Sequence, residues 1–200
     1  MKLIDKKDYL LASDILSSGG LVAFPTETVF GIGVIYNNEA SYKRLISVKR
    51  RPPEKPFTLM CGEVIDIYKY AEVNEIAEKL IKKFMPGQFT IILKAKKGLP
   101  SYVVSKEGNV GIRVPDDEFV STLIRSVKNP LLVPSANKSG EPPLTKDEDV
   151  KNVFNNEIDA IIKGESISNV PSTIVLVDND AHIIRLGVIS EDDIYKAIKE

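Results

Sequence analysis

"LVAFPTETVFGIGVIY", residues 21–36, holds two apolar runs split by a three-residue polar turn. The first run, 21–25, is continuous rather than alternating, as in a strand buried on both faces. "TET" (26–28) interrupts it, and "FGIGVIY" (30–36) resumes as a second strand. Upstream, residues 7–18 show helical spacing of apolar residues and stop at Gly19-Gly20, a C-terminal helix signal. Downstream, Asn37 or Asn38 can cap a helix over 39–48. Helix, two strands and helix in so short a span predict an α/β fold with a mixed, twisted sheet.

The alternation continues along the chain. "FTLMC" (57–61) is a short strand, and 63–85 reads as helical until "MPGQ" breaks it. "FTIILKA" (89–95) and "GIRVP" (111–115) are strands, followed by a helix near 117–127 and the strand "LLVP" (131–134). After the loop "SANKSGEPP" comes a helix near 146–155. "IDAIIK", "TIVLV" and "HIIRL" are three late strands, and Asp178-Asn179-Asp180 turns the last two into a hairpin. Ser190 with Asp193 caps a terminal helix. No linker, repeat or low-complexity segment divides the chain, so 1–200 is expected to be one domain.

Composition removes several function classes. The chain is 43% hydrophobic and 28% charged, and it has no apolar run long enough to cross a membrane. Charges interrupt the apolar residues of the N-terminus, so no signal peptide is expected and the cytoplasm is the default location. A single cysteine, Cys61, excludes an internal disulfide and a zinc site of several thiolates. The single histidine, His182, lies in the alternating stretch "AHIIRLG" and reads as a sheet residue. A two-histidine metal site is excluded, and any catalytic triad would depend on that one imidazole. Lys plus Arg number 27 against 28 Asp plus Glu, a net charge of −1. A nucleic-acid surface is normally basic, so the balance points to local cationic sites instead.

Five stretches could carry chemistry. "VKRRPPEKP" (48–56) sets Lys49, Arg50, Arg51 and Lys55 among three prolines, after Lys43 and Arg44 on the preceding helix. Helix-dipole compensation in a solvated loop explains part of this. Prolines also restrict the backbone, and cations fixed in one geometry suit a polyanion such as triphosphate. "PSANKSG" (134–140) follows an apolar strand, where open α/β sheets tend to meet ligand. Ser135 and Asn137 could bond phosphate, ribose or base, or simply close a polar turn. In "FPTETVFGIG" (24–33), Thr26 and Thr28 lie beyond a strand end, while Gly31 and Gly33 permit close backbone approach. This is neither a Rossmann fingerprint nor a P-loop. Arg113 in "GIRVP" has apolar neighbours, so burial requires an anionic partner, with a surface ion pair as the alternative. Ser172 in "PSTIV" is either a ligand contact or the residue that begins a strand.

The ordered set "GGLVAFPTETVFGIG", Lys49-x-Arg51, "KPF", "MPGQFTIIL", "GIRVP", Ser135-x-Asn137, "PSTIV" and "IIRLG" resembles the YrdC/TsaC family of threonylcarbamoyl-AMP synthases. The resemblance implies a single YrdC-like domain with a mixed sheet, flanking helices and a concave, positively charged cleft. It implies condensation of L-threonine, bicarbonate and ATP to threonylcarbamoyl-AMP and pyrophosphate, for N6-threonylcarbamoylation of tRNA adenosine. On that basis Lys49 and Arg51 are the expected catalytic cations, acting with Mg²⁺ that accompanies ATP. Lys49, Arg51, Pro53, Ser135, Asn137, Pro143 and Arg185 would hold ATP. Thr26, Thr58, Arg113, Val133 and Ser172 would surround threonine, with Arg113 bidentate to its carboxylate. Handover to a tRNA-modifying transferase complex is implied as well.

Some features depart from that pattern. Met85 stands where the family usually has tryptophan, and Phe30 where it often has tyrosine. "FTLMC" with "PGQFTIILK" resembles the YciO paralogues, so an adenylate-binding or hydrolysing protein is one rival. A non-catalytic RNA-binding module is another, less favoured by the neutral charge. The resemblance also leaves no room for the extra C-terminal domain of longer relatives, so cleft closure is expected to use the chain's own loops.

Overall fold

The structure, a computed structural model, describes residues 1–51 and 56–200. In chain order its strands are β1 (Lys2–Ile4), β2 (Val22–Phe24), β3 (Gly31–Ile35), β4 (Leu59–Met60), β5 (Phe89–Lys94), β6 (Asn109–Arg113), β7 (Leu131–Leu132), β8 (Ala160–Ile162), β9 (Thr173–Val177) and β10 (Ala181–Arg185). The helices are α1 (Tyr9–Ser17), α2 (Glu39–Lys49), α3 (Ile67–Tyr70), α4 (Glu75–Phe84), α5 (Glu118–Val127), α6 (Asp147–Val153) and α7 (Glu191–Lys199). The strands form one sheet in the order β1-β8-β2-β3-β7-β4-β6-β5-β9-β10. Pairs β1–β8, β2–β8, β4–β6 and β5–β9 are parallel and the others antiparallel, so the sheet is mixed as expected.

Period-two alternation divides the strand side chains between two cores. Ala23, Ile32, Leu59, Ile91, Ile112, Ile161 and Val175 join one core, with Leu45 of α2, Leu80 of α4, Val150 of α6 and Ile194 of α7. Their neighbours Val22, Phe24, Met60, Leu131, Ala160 and Ile162 face the other side, against Leu16 of α1 and Leu123 of α5. The first core reaches β5 and β9, whereas the second stops at β4. The second face of β6, β5, β9 and β10 is therefore left without α1 or α5 upon it. That half-covered face positions the site.

Local signals explain most boundaries. Asn38, Asn74, Asp117 and Ser190 cap α2, α4, α5 and α7, each accepting a backbone N–H from the first turn of its helix. After α1 the chain turns at Gly19, whose φ of +86° is left-handed and free of penalty only for glycine. Two expectations are corrected. Residues 63–85 are not one helix: a 3-10 turn and α3 end at Ala71, which bridges Ala95, and α4 starts afresh at the Asn74 cap. Lys2–Ile4, given no element from the sequence, forms an edge strand beside β8. The late strands and their hairpin form as expected, with Ala181 paired to Val177 across Asp178–Asp180.

Candidate active site

A cavity of about 590 Å³ opens on the half-covered face. Its volume lies within the range of small-molecule sites, about 300–1,000 Å³. It is lined by Arg51, Thr58, Arg113, Val133, Ser135, Ser172 and Arg185 from the sequence-derived set, and also by Thr28 and Thr90. Ile92, Ile174, Leu176 and Ile184 form an apolar floor, with Ser105, Glu107 and Asn109 also in the lining. Pro53 lies outside the described residues, as do Pro52, Glu54 and Lys55, on which the expectation of a proline-stiffened loop partly rested. Pro143, Lys49, Asn137 and Thr26 are not among the lining residues.

The end of α2 delivers the cationic pair. Arg50 adopts φ 51°, ψ 43°, a left-handed conformation. Its N–H donates to the Ser47 carbonyl at 3.1 Å, and the Arg51 N–H to that of Ile46 at 3.2 Å, closing the helix in a Schellman-type turn. Lys49 and Arg51 consequently part company. Lys49 is only 2% exposed, and its Nζ donates to the Ser135 carbonyl. It also donates to the Asn137 carbonyl at 2.6 Å and reaches Asn137 Oδ1 at 3.4 Å. Burial first, then the charges of Arg51 and Lys138, lower its amine from 10.5 to about 7. Arg51 instead faces the cavity, its guanidinium 5.0 Å over the Phe57 ring.

The 134–141 loop is built around this buried amine. Ser135 Oγ donates to Asn137 Oδ1 at 2.6 Å, while Asn137 Nδ2 donates to the Lys138 and Glu141 carbonyls. Lys138 reaches the Val48 carbonyl at 2.9 Å and both Glu157 oxygens at 2.7 Å, and Ser139 N–H donates to the Lys49 carbonyl. The open carbonyls at the end of α2 are thus satisfied by the loop, and the loop by Lys49. Lys43 pairs with Glu39, and Arg44 with Asp159 before β8, so not all of the positive cluster serves the cavity.

On the opposite wall, Arg113 ends β6 and is 6% exposed. Its burial is matched by an anion inside the chain: Nη2 donates to Glu27 Oε1 at 2.8 Å, and Nη1 to Thr28 Oγ1 at 3.0 Å. Glu27 carried no assignment from the sequence, although "TET" placed it between two threonines. Of those threonines, Thr28 faces the cavity. Thr26 uses its hydroxyl internally, accepting from Thr28 N–H and donating to the Val29 carbonyl at 2.8 Å. Ser172 Oγ lies 2.8 Å from Thr90 Oγ1. The Arg185 guanidinium clasps the Ser172 carbonyl at 2.8 and 3.1 Å. Burial, then repulsion from Arg113, lowers the affinity of Arg185 for its proton. Two guanidiniums near enough to repel one another favour an anion between them.

Chemically, the cavity offers arginines, hydroxyls and an apolar floor. Cys61 is buried away from it, its thiol pushed up by desolvation, and His182 is exposed beside Asp178. Among the described residues no helix is long and apolar enough to cross a membrane.

Comparison with known proteins follows the same geometry. A family model described as telomere recombination, Sua5_yciO_yrdC, matches residues 14–187. A Methanocaldococcus jannaschii protein, whose name proposes a threonylcarbamoyl-AMP synthase, is 41% identical over 182 residues, covering 90% of this chain and 84% of the relative. The structure of P. abyssi Sua5 with L-threonine superposes with a TM-score of 0.94 at 31% identity, over 99% of this chain and 61% of that one. This chain thus spans about three fifths of that protein's length. E. coli YciO superposes with a TM-score of 0.89 at 25% identity, over 96% and 98% of the two chains.

Proposed function

The chain belongs to the Sua5, YciO and YrdC family, and from that premise we propose that it is an L-threonylcarbamoyl-AMP synthase. It would condense L-threonine, bicarbonate and ATP, releasing pyrophosphate and water. The observation that carries this reading is one cavity lined by both expected residue groups, Arg51, Ser135 and Arg185 with Thr58, Arg113, Val133 and Ser172. Its fold likeness to a threonine-bound Sua5 supports the amino-acid half.

In this reading Arg113 and Thr28 receive the threonine carboxylate, Thr58 and Ser172 its polar groups, and Val133 its methyl. The amine and bicarbonate form a carbamate, whose oxygen attacks the α-phosphorus of ATP and expels pyrophosphate. Such a transfer needs alignment and neutralised charge more than a proton shuttle. Arg51 and Arg185 neutralise the phosphates, and Ser135 orients the nucleotide. Lys49 and Asn137 act from behind, holding the Ser135 loop in place. Magnesium enters as part of MgATP, the substrate. Among the described residues no group of three or more His, Cys, Asp or Glu is placed to hold a metal. The product would pass to a transferase complex that modifies tRNA.

The near-complete overlap with E. coli YciO favours a second reading, an adenylate-binding or hydrolysing protein. Pyrophosphate release separates the two. The synthase releases it only when ATP, threonine and bicarbonate are all present. Release that ignores threonine removes the synthase reading, and RNA affinity falling steeply with salt but indifferent to ATP would indicate an RNA-binding module.

A further inference from the structure

Glu27 lies in the turn between β2 and β3, and it is 5% exposed. Three segments converge on it. Its Oε1 accepts from Arg113 Nη2 at 2.8 Å and from Asp116 N–H at 3.1 Å, just before α5. Its backbone carbonyl accepts from Gln88 Nε2 at 3.1 Å, just before β5. The next residue, Thr28, takes Arg113 Nη1. A guanidinium has two N–H groups on each terminal nitrogen. Each of these nitrogens has given one to the turn, so a second N–H remains on both for an anion in the cavity that Arg113 lines.

The arrangement is expensive as a stabilising device. Among the described residues Glu27 Oε2 and Arg113 Nε are buried with no hydrogen-bond partner, and buried ion pairs of this kind often stabilise less than apolar residues of similar volume. What the pair does supply is a fixed orientation for an arginine that lines the cavity. We infer that Glu27 is a positioning residue for the amino-acid half of the cleft, which aims Arg113 at the substrate carboxylate. The inference takes the identity of that carboxylate, threonine, from the synthase reading. A guanidinium ordered before binding spares the ligand the cost of ordering it.

Glu27→Gln tests this, because it keeps the shape and removes the charge. Two measurements are made on the folded full chain. In ¹⁵N-arginine-labelled protein without ligand, solvent exchange of the Arg113 side-chain N–H groups is expected to quicken by about tenfold or more. By calorimetry, threonine affinity is expected to fall by about tenfold or more, with ATP affinity held within about twofold. Unchanged Arg113 exchange overturns the inference, and so does parallel loss of both ligands in a folded variant, which would mark Glu27 as general scaffold. A wild type that binds no threonine overturns the synthase reading instead, and the exchange rates then decide Glu27 by themselves. Should Glu27→Gln not fold, Glu27→Asp keeps the charge but withdraws the carboxylate by one methylene. The same two measurements and outcomes apply to it.

Discussion

Lys49 has its amine among three oxygens and beneath two other cations, a placement that makes its proton sensitive to folding. With the folded value lowered to about 7, the unfolded chain binds a proton that the native state lacks between there and 10.5. Stability therefore rises with pH across that window, by at most about 1.4 kcal/mol per pH unit from this group. Below about pH 7 the whole penalty of the charged amine is present. Lys49→Met should lose that slope, so urea melts at several pH values should show wild type gaining on the variant as pH rises. Arg51→Ala should behave differently, since Arg51 lines the cavity. Loss of a charge-assisted phosphate contact costs about 1.5–3 kcal/mol, a ten- to hundredfold weaker use of ATP in steady-state titrations with the fold intact. The Lys49-x-Arg51 spacing was legible in the sequence, but the separation of roles was not. Alternate residues part because the helix ends between them, and only the left-handed turn at Arg50 shows which one goes inward. Glu27 was illegible for a related reason: an acid between two threonines looks like a polar turn until β6 brings Arg113 to it.

Helix α2 stops on a residue poorly suited to stopping it. A left-handed conformation costs a residue with a Cβ roughly 1–2 kcal/mol, which glycine avoids at some cost in unfolded-state entropy. Arg50→Gly should therefore stabilise the protein by about 0.5–1 kcal/mol, seen as a higher denaturation midpoint with an unchanged slope. An unchanged or lower midpoint would mean that the Arg50 side chain makes a contact worth as much as the strain. Most elements were readable because their own residues state them: Asn38 and Ser190 cap, the apolar run "TIVLV" marks β9, and alternation marks β10. Two were not. β1 is three residues long, and only its partner β8 makes it a strand. Residues 63–85 carry helical spacing, and the bridge from Ala71 to Ala95 overrides it. A pairing partner far along the chain leaves no local signature.

For the molecule as a whole, the half of one sheet face on which neither α1 nor α5 packs is where ligands should add stability. A ligand at about a hundred times its Kd adds about 2.7 kcal/mol to the native state. Thermal unfolding should therefore move upward with ATP, and further with ATP, threonine and bicarbonate together. No shift with any of them, at concentrations that support pyrophosphate release, would place the site elsewhere. The sheet's strand order has a consequence for synthesis on the ribosome. β8 is inserted between β1 and β2, so hydrogen bonding at this end of the sheet is incomplete until Ile162 has been made. At about 5–20 residues per second, β2 waits roughly 7–30 s for its parallel neighbour. Throughout that interval the nascent chain shows apolar strand edges to its surroundings, and a holdase chaperone that shields them would raise the yield of folded protein without touching the finished fold.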